Sequence, residues 1–267
     1  MADGISIVIP ARNEAATVGG VVSAVIARPC VAEVIVVDNA SWDGTAEAAA
    51  RAGATVVEEP EPGLGRALKA GFGAAARPWV MKIDADLERF DPALVERLAE
   101  AREAGVGMVK GNWQDPTDDM PMTRLLIRPA IKLIYPGLAH VRAPNSGIYL
   151  FRRDLIEIGA LADNNAADID VMLRVHNAGA EVVEVGIGEI RHDPRDKQHY
   201  NVMAENILNL FLKHRVAQAG QAMRAARFGA AGHAGVQAGQ ADAADRADEA
   251  DQPARPARPA RMGKARP

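Results

Sequence analysis

The chain has 267 residues, 48% of them hydrophobic and 25% charged, with a net charge of −4 and a pI near 5.9. That balance is ordinary for a globular protein and gives no reason in bulk to expect nucleic acid as a partner. One cysteine, Cys30, excludes an internal disulfide framework and any multi-cysteine metal site, and it fits a reducing compartment.

The start, Met-Ala-Asp-Gly, carries no basic segment and no long apolar segment of a leader. No uncharged apolar run approaches the roughly 18 residues of a membrane span, so a cytoplasmic protein is expected. Residues 5–9 form a continuous apolar run, as in a strand buried on both faces. A helix is expected over 15–28, a strand over 33–37 running into Asp38, a helix over 45–52 and a strand over 55–58. Then come a helix over 65–76, a strand over 80–83 and an amphipathic helix over 92–104. Strand–helix alternation of this kind implies an α/β protein with a mostly parallel, doubly wound sheet, whose ligands bind beyond the carboxyl ends of the strands. The polar motifs fall at those ends: Pro10-Ala-Arg-Asn-Glu14, Asp38-Asn-Ala-Ser-Trp-Asp-Gly44 and Asp84-Ala-Asp86.

The second half is less regular. Strands are expected over 106–113 and 146–151, a helix over 168–178, a strand over 181–185 and a closing helix over 202–215. The closing helix should present Ile207, Leu208, Phe211 and Leu212 on one packing face, with a homodimer contact as the alternative. From about residue 220 large apolar side chains almost vanish, so 222–267 are expected to form a disordered tail, acidic first and basic at its end. One folded domain, 1–221, is therefore expected, with a half of about 1–113 and a second of about 114–221.

Asp84 and Asp86 are the most informative pair. Alternate residues at a strand end point the same way, and two such carboxylates suit Mg2+ or Mn2+ bridging to a diphosphate. Acidic residues also simply end strands, so the pair takes its weight from its neighbours.

Those neighbours resemble the GT-A glycosyltransferases, in particular their family-2 group. Five blocks carry the likeness: Ser6-Ile-Val-Ile-Pro-Ala-Arg-Asn-Glu14, Val34-Ile-Val-Val-Asp-Asn-Ala-Ser-Trp-Asp-Gly-Thr45, Gly63-Leu-Gly-Arg-Ala-Leu-Lys-Ala-Gly71, Lys82-Ile-Asp-Ala-Asp86 and Ala167-Asp-Ile-Asp-Val-Met-Leu-Arg-Val-His-Asn-Ala-Gly179. The stretches 123–136 and 143–153 are similar to those of mannosylglycerate and glucosyl-3-phosphoglycerate synthases. Where those synthases carry Pro-Leu-Gly/Ser-Gly-Glu, this chain has Pro144-Asn-Ser-Gly-Ile148, which leaves acceptor and sugar open.

The resemblance implies a GT-A, Rossmann-like fold with a smaller mixed acceptor-side region. It implies a metal-dependent transfer of a hexose from a UDP- or GDP-sugar to a hydroxyl acceptor such as a glycerate-like acid. Pro10, Ala11, Arg12 and Glu14 would surround base and ribose, with Asp38 on the base edge. Gly65 and Lys69 would meet the diphosphate at a helix N-terminus, where free N–H groups favour anions. Asp84 would reach the ribose, while Asp86 and His192 would hold Mg2+ or Mn2+. Asp168 would be the general base of an inverting enzyme, or would orient acceptor or sugar in a retaining one; N-capping is its plainer role. Thr123, Arg124, Arg128, Asn145, Ser146 and Gly147 would face the acceptor. Arg191, Arg195, Lys197, His199 and Tyr200 would form a lid excluding water. Rival readings are a transferase to a polyprenyl phosphate or glycan, a non-catalytic sugar-nucleotide-binding regulator, and a nucleotidyltransferase. The last lacks its Gly-rich basic loop after the first strand.

Overall fold

The computed structural model describes residues 4–114, 121–190, 200–220 and 223. The chain divides into two units, 1–214 and 215–267. In the second, residues 215–220 are helical; the rest of the expected tail lies outside the described residues except for Met223.

The first unit is built on a seven-stranded sheet. Its strands are β1 (Ile5–Ala11), β2 (Val31–Asp38), β3 (Thr55–Glu58), β4 (Trp79–Lys82), β5 (Val106–Gln114), β6 (Tyr149–Arg152) and β7 (Glu181–Glu189). They lie in the order β3-β2-β1-β4-β6-β5-β7, and only β6 runs against its neighbours. The helices are α1 (Val18–Ile26), α2 (Thr45–Arg51), α3 (Leu64–Ala74), α4 (Leu94–Glu100), α5 (Arg128–Ile134) and α6 (Ala167–Asn177). A wide π turn, Met122–Ile127, leads into α5, and residues 200–214 form a closing helix, α7.

Period-two alternation sorts each strand between two cores. Ile5, Ile7 and Ile9 of β1 and Val34 and Val36 of β2 pack with the buried faces of α1, α2 and α4. Val8, Ile35 and Val37 pack on the other face with Leu68 and Phe72 of α3, Ile169 and Leu173 of α6, and Ile207 and Phe211 of α7. Burial on both faces explains the unbroken apolar stretches 7–9 of β1 and 34–37 of β2.

From β1 the chain steps outward through β2 to β3, then returns to place β4 on the other side of β1. The strand order therefore reverses between β1 and β4, where α/β sheets open a crevice beyond their carboxyl ends.

Some elements depart from the expected bounds. Helix α4 stops at Glu100 instead of reaching 104. Strand β6 begins at Tyr149, because 146–148 lie in the preceding loop. The packing face of α7 is a correction as well. Ile207, Leu210 and Phe211 are buried, while Leu208 and Leu212 are 44% and 62% exposed. Residues 207, 210, 211 and 214 follow the helical i, i+3, i+4, i+7 row. His214 completes it by bonding Asp170 at 2.8 Å.

Candidate active site

Beyond the carboxyl ends of β1 and β4 lies a cavity of about 550 Å3. Its wall is assembled from sequence-distant pieces: Pro10 to Arg12 and Glu14 after β1, Gly63 and Leu64 opening α3, Asp84 to Leu87 after β4, and Asn145 to Ile148 before β6. Thr123 in the π turn and Tyr200 in α7 close it on the far side.

The loops hold their shape through side chains. Asn13 adopts a left-handed backbone (φ 60°), rare for a residue with a Cβ. Its Oδ1 accepts from the Trp42 amide at 3.1 Å, and its own amide donates to Ser41 Oγ at 3.0 Å, which ties the β1 and β2 loops together. Asn39, absent from the expected site, is buried on the cavity wall. Its amide nitrogen donates to the carbonyls of Glu59 and Glu61 (3.2 and 2.7 Å), and its Oδ1 accepts from the Gly63 amide at 2.8 Å. The turn entering α3 is thereby fastened to the end of β2.

Of the residues expected at the site, Pro10, Ala11, Arg12, Glu14, Asp84, Asp86, Thr123, Asn145, Ser146 and Gly147 line this one cavity. Asp38 is half-buried beside it, and its Oδ1 is buried with no hydrogen-bond partner among the described residues. An orphaned acceptor of that kind is costly unless a donor arrives. Lys69 is turned away from the cavity, its Nζ pairing with Asp163 Oδ1 at 2.7 Å, and Arg66 pairs with Glu61. Gly65 does not line the cavity either. A Cβ there would lie 1.8 Å from the Ala162 carbonyl, so glycine is required for α3 to pack on the 162–163 segment. The contribution of α3 to the wall is Gly63, Leu64 and Ala67. Arg124 and Arg128 are exposed on the outer side of their helix and do not line the cavity. His192 lies outside the described residues, as do Arg191, Arg195, Lys197 and His199.

Asp168 also departs from expectation. It is buried beneath the cavity floor and does not line it. Its Oδ1 accepts from the Tyr149 hydroxyl at 2.8 Å, and its Oδ2 meets Lys82 Nζ at 3.4 Å. A general base must come within hydrogen-bond reach of the acceptor proton; here the carboxylate is committed to two interior partners. Asp170, two residues on, is an anchor: it accepts from Arg174 at 2.8 Å, the Ala162 amide at 2.8 Å and His214.

Strand register explains the interior partners. Lys82 sits opposite Tyr149, Tyr149 opposite Lys110, and Lys110 opposite Glu184. Directly opposed residues share a sheet face, so a polar row crosses four strands under the cavity, with Asp168 laid on it by α6. Lys82 is fully buried; burial pulls its proton affinity down, but the carboxylates of Asp168 and Asp84 outweigh that and hold it above the usual lysine range. Among the described residues Lys110 has no direct carboxylate partner. It donates to the Ser146 carbonyl at 2.6 Å and lies 4.6 Å from the centre of the Tyr149 ring. Burial therefore prevails, and its pKa falls to about 8.

That depression has a sign. The unfolded chain holds the Lys110 proton from about pH 8 up to the ordinary 10.5, whereas the folded protein has released it. Folding stability relative to a Lys110→Met variant should then rise by about 3 kcal/mol as pH climbs through that window. Urea unfolding of both proteins at the two ends of the window checks this; a constant difference would show that Lys110 keeps its charge.

Two carboxylates on the wall, Asp84 and Asp86, form a donor set of hard oxygens. Among the described residues no group of three or more His, Cys, Asp or Glu side chains could hold a metal ion. Mg2+ in such sites commonly takes one or two carboxylates and completes its shell with substrate phosphates and water, so the pair fits a cation that arrives with a phosphate ligand. Among the described residues no helix is long and apolar enough to cross a membrane.

Comparison with known proteins agrees with the geometry. Residues 6–158 match the model of the family described as "Glycosyl transferase family 2". An uncharacterized glycosyltransferase of Mycobacterium tuberculosis is 30% identical over 203 residues, covering 72% of this chain and 87% of that one. Glucosyl-3-phosphoglycerate synthase of Mycolicibacterium smegmatis is 30% identical over 215 residues, covering 71% of each. The crystal structure of glucosyl-3-phosphoglycerate synthase from Mycobacterium tuberculosis, in complex with Mn2+, UDP-glucose and phosphoglyceric acid, superimposes with a TM-score of 0.72 at 28% identity over 80% of both chains. Another crystal structure of that synthase contains Mg2+ and UDP.

Proposed function

The chain belongs to glycosyl transferase family 2, and from that premise we propose that it transfers a hexose from UDP-hexose to the hydroxyl of a small glycerate-like acid, with Mn2+ or Mg2+, in the cytoplasm. The observation that carries this reading is the convergence of Asp84, Asp86, the Pro10–Glu14 loop, the start of α3 and the Asn145–Gly147 loop on one cavity. The synthases it matches are named for glucosyl-3-phosphoglycerate, and one was crystallised with UDP-glucose and phosphoglyceric acid.

Pro10, Ala11, Arg12 and Glu14 hold base and ribose, and the unpartnered Asp38 oxygen accepts from the base edge. The diphosphate lies against Gly63 and Leu64, where the amides opening α3 favour anions. Asp86, with His192, holds the cation, which supplies charge neutralisation for the departing diphosphate. Asn145, Ser146 and Thr123 face the acceptor. Tyr200 on the rim shields the sugar from water. Residues 1–221 make up this catalytic domain.

A second reading has its own observation. Leu125 and Leu133 are 79% and 83% exposed on the helix that carries Thr123, beside the exposed Arg124, Arg128 and Lys132. An apolar and basic face next to the cavity suits a lipid-linked phosphate acceptor. UDP release from UDP-glucose and Mn2+, measured with 3-phosphoglycerate, glycerate or a short polyprenyl phosphate, separates the two. Acceleration by the acids supports the main reading, and acceleration by the polyprenyl phosphate alone replaces it. No UDP binding with Mn2+ present would overturn both.

A further inference from the structure

We propose that Lys82 is a positioning residue that clamps Asp84 to the cavity floor and occupies its negative charge, so that the divalent cation is recruited through Asp86 together with the diphosphate and not before it. The inference rests on the reading above and on the division between Asp84 and Asp86 that the resemblance implies, and adds to it the buried ammonium that enforces that division.

Three observations carry it. Lys82 Nζ is fully buried and ion-paired with Asp84 Oδ1, and it meets Asp168 from the other side at 3.4 Å. The second Asp84 oxygen, Oδ2, rests directly on Gly147, where an added Cβ would come within 2.0 Å of it. Asp84 is therefore held between an ammonium and a backbone, with its side chain still 37% exposed to the cavity. The ammonium itself is fixed by the register pairing of Lys82 with Tyr149, whose hydroxyl bonds the same Asp168.

The electrostatic consequence follows. A cation entering an empty cavity meets in Asp84 a carboxylate already ion-paired with a buried ammonium, which it shares with Asp168, and the like charge of Lys82 repels the cation from Asp84. Asp84 instead keeps acceptor capacity for a neutral donor such as a ribose hydroxyl, which a carboxylate paired on one side can still bind. The cation then gains its remaining ligands from the phosphates. This also gives Asp168 a part in the site without any contact with substrate: it is the counter-charge that keeps Lys82 in place.

Mn2+ binding by calorimetry, with and without UDP-glucose, tests the assignment on the full chain. Asp84→Asn, a change at the cavity surface, should leave the affinity for Mn2+ alone within about twofold while weakening UDP-glucose with Mn2+ about tenfold. Lys82→Met with Asp168→Asn removes the interior charges as a pair, avoiding a lone buried ion. In that double variant Mn2+ alone should bind about tenfold tighter, because Asp84 is released to it, whereas Lys82→Arg, which keeps the charge, should stay near the native value. A merely structural role for Lys82 would not produce a gain in metal affinity. Loss of Mn2+ affinity in Asp84→Asn, or no gain in the folded double variant, overturns the proposal. Should the native protein bind Mn2+ but not UDP-glucose, the substrate reading fails while the Mn2+ comparison still decides the role of Lys82.

Discussion

Replacing Asp86 with alanine should abolish the Mn2+-dependent part of UDP-glucose binding and lower turnover by about 10^3-fold or more, since charge neutralisation at a departing diphosphate contributes several kcal/mol. The fold should survive, because Asp86 is half-buried at the cavity wall and takes no part in either hydrophobic core. Thermal unfolding separates the effects. The unliganded midpoint should stay within a few degrees of native, while the rise caused by UDP-glucose with Mn2+ disappears. A metal-dependent rise that persists in Asp86→Ala would place the cation elsewhere.

The second large effect is expected at a glycine. Gly147→Ala adds a single carbon, yet that carbon would lie 2.0 Å from Asp84 Oδ2, well inside contact distance. Either the Asn145–Gly147 loop or the Asp84 carboxylate must move. The loop is restrained: Lys110 donates to the Ser146 carbonyl at 2.6 Å, and Glu184 accepts from the amides of Arg142 and Ala143 at 2.9 and 2.7 Å. Asp84 should therefore yield, and misplacement of a binding group by about 1 Å costs on the order of 10^2-fold in kcat/KM. The loss should appear with every acceptor, because it arises on the donor side. A variant with native kinetics for UDP-glucose would mean that Asp84 does not touch the donor.

Much of this was legible from residues alone, and for a local reason. The stretches at 7–9, 34–37 and 80–81 are apolar because their strands are covered on both faces, and the polar residues that end the strands had to lie at one sheet edge. Order along the chain thus reported the cavity. Distant pairings were invisible. In sequence Lys82 is one charge inside a short strand; only the pairing of β4 with β6 and of β6 with β5 reveals the row it forms with Tyr149 and Lys110. Lys69 read as a phosphate ligand because its partner, Asp163, is 94 residues away. Asp168 carried the right motif, and nothing near it in sequence announced the two interior groups that occupy it. On α7, the pairs 207/211 and 208/212 satisfy the same helical spacing, so periodicity could not choose between them; the bond from His214 to Asp170 does.

In the proposed function the crevice between β1 and β4 holds a nucleoside diphosphate through a cation on Asp86. An anomalous-scattering map from a crystal grown with Mn2+ and UDP tests it most directly. The expected result is one strong manganese peak about 2.2 Å from an Asp86 oxygen, bridged to the diphosphate beside Gly63 and Leu64. A nucleotide bound away from this cavity, or a manganese site whose ligands do not include Asp86, would contradict it.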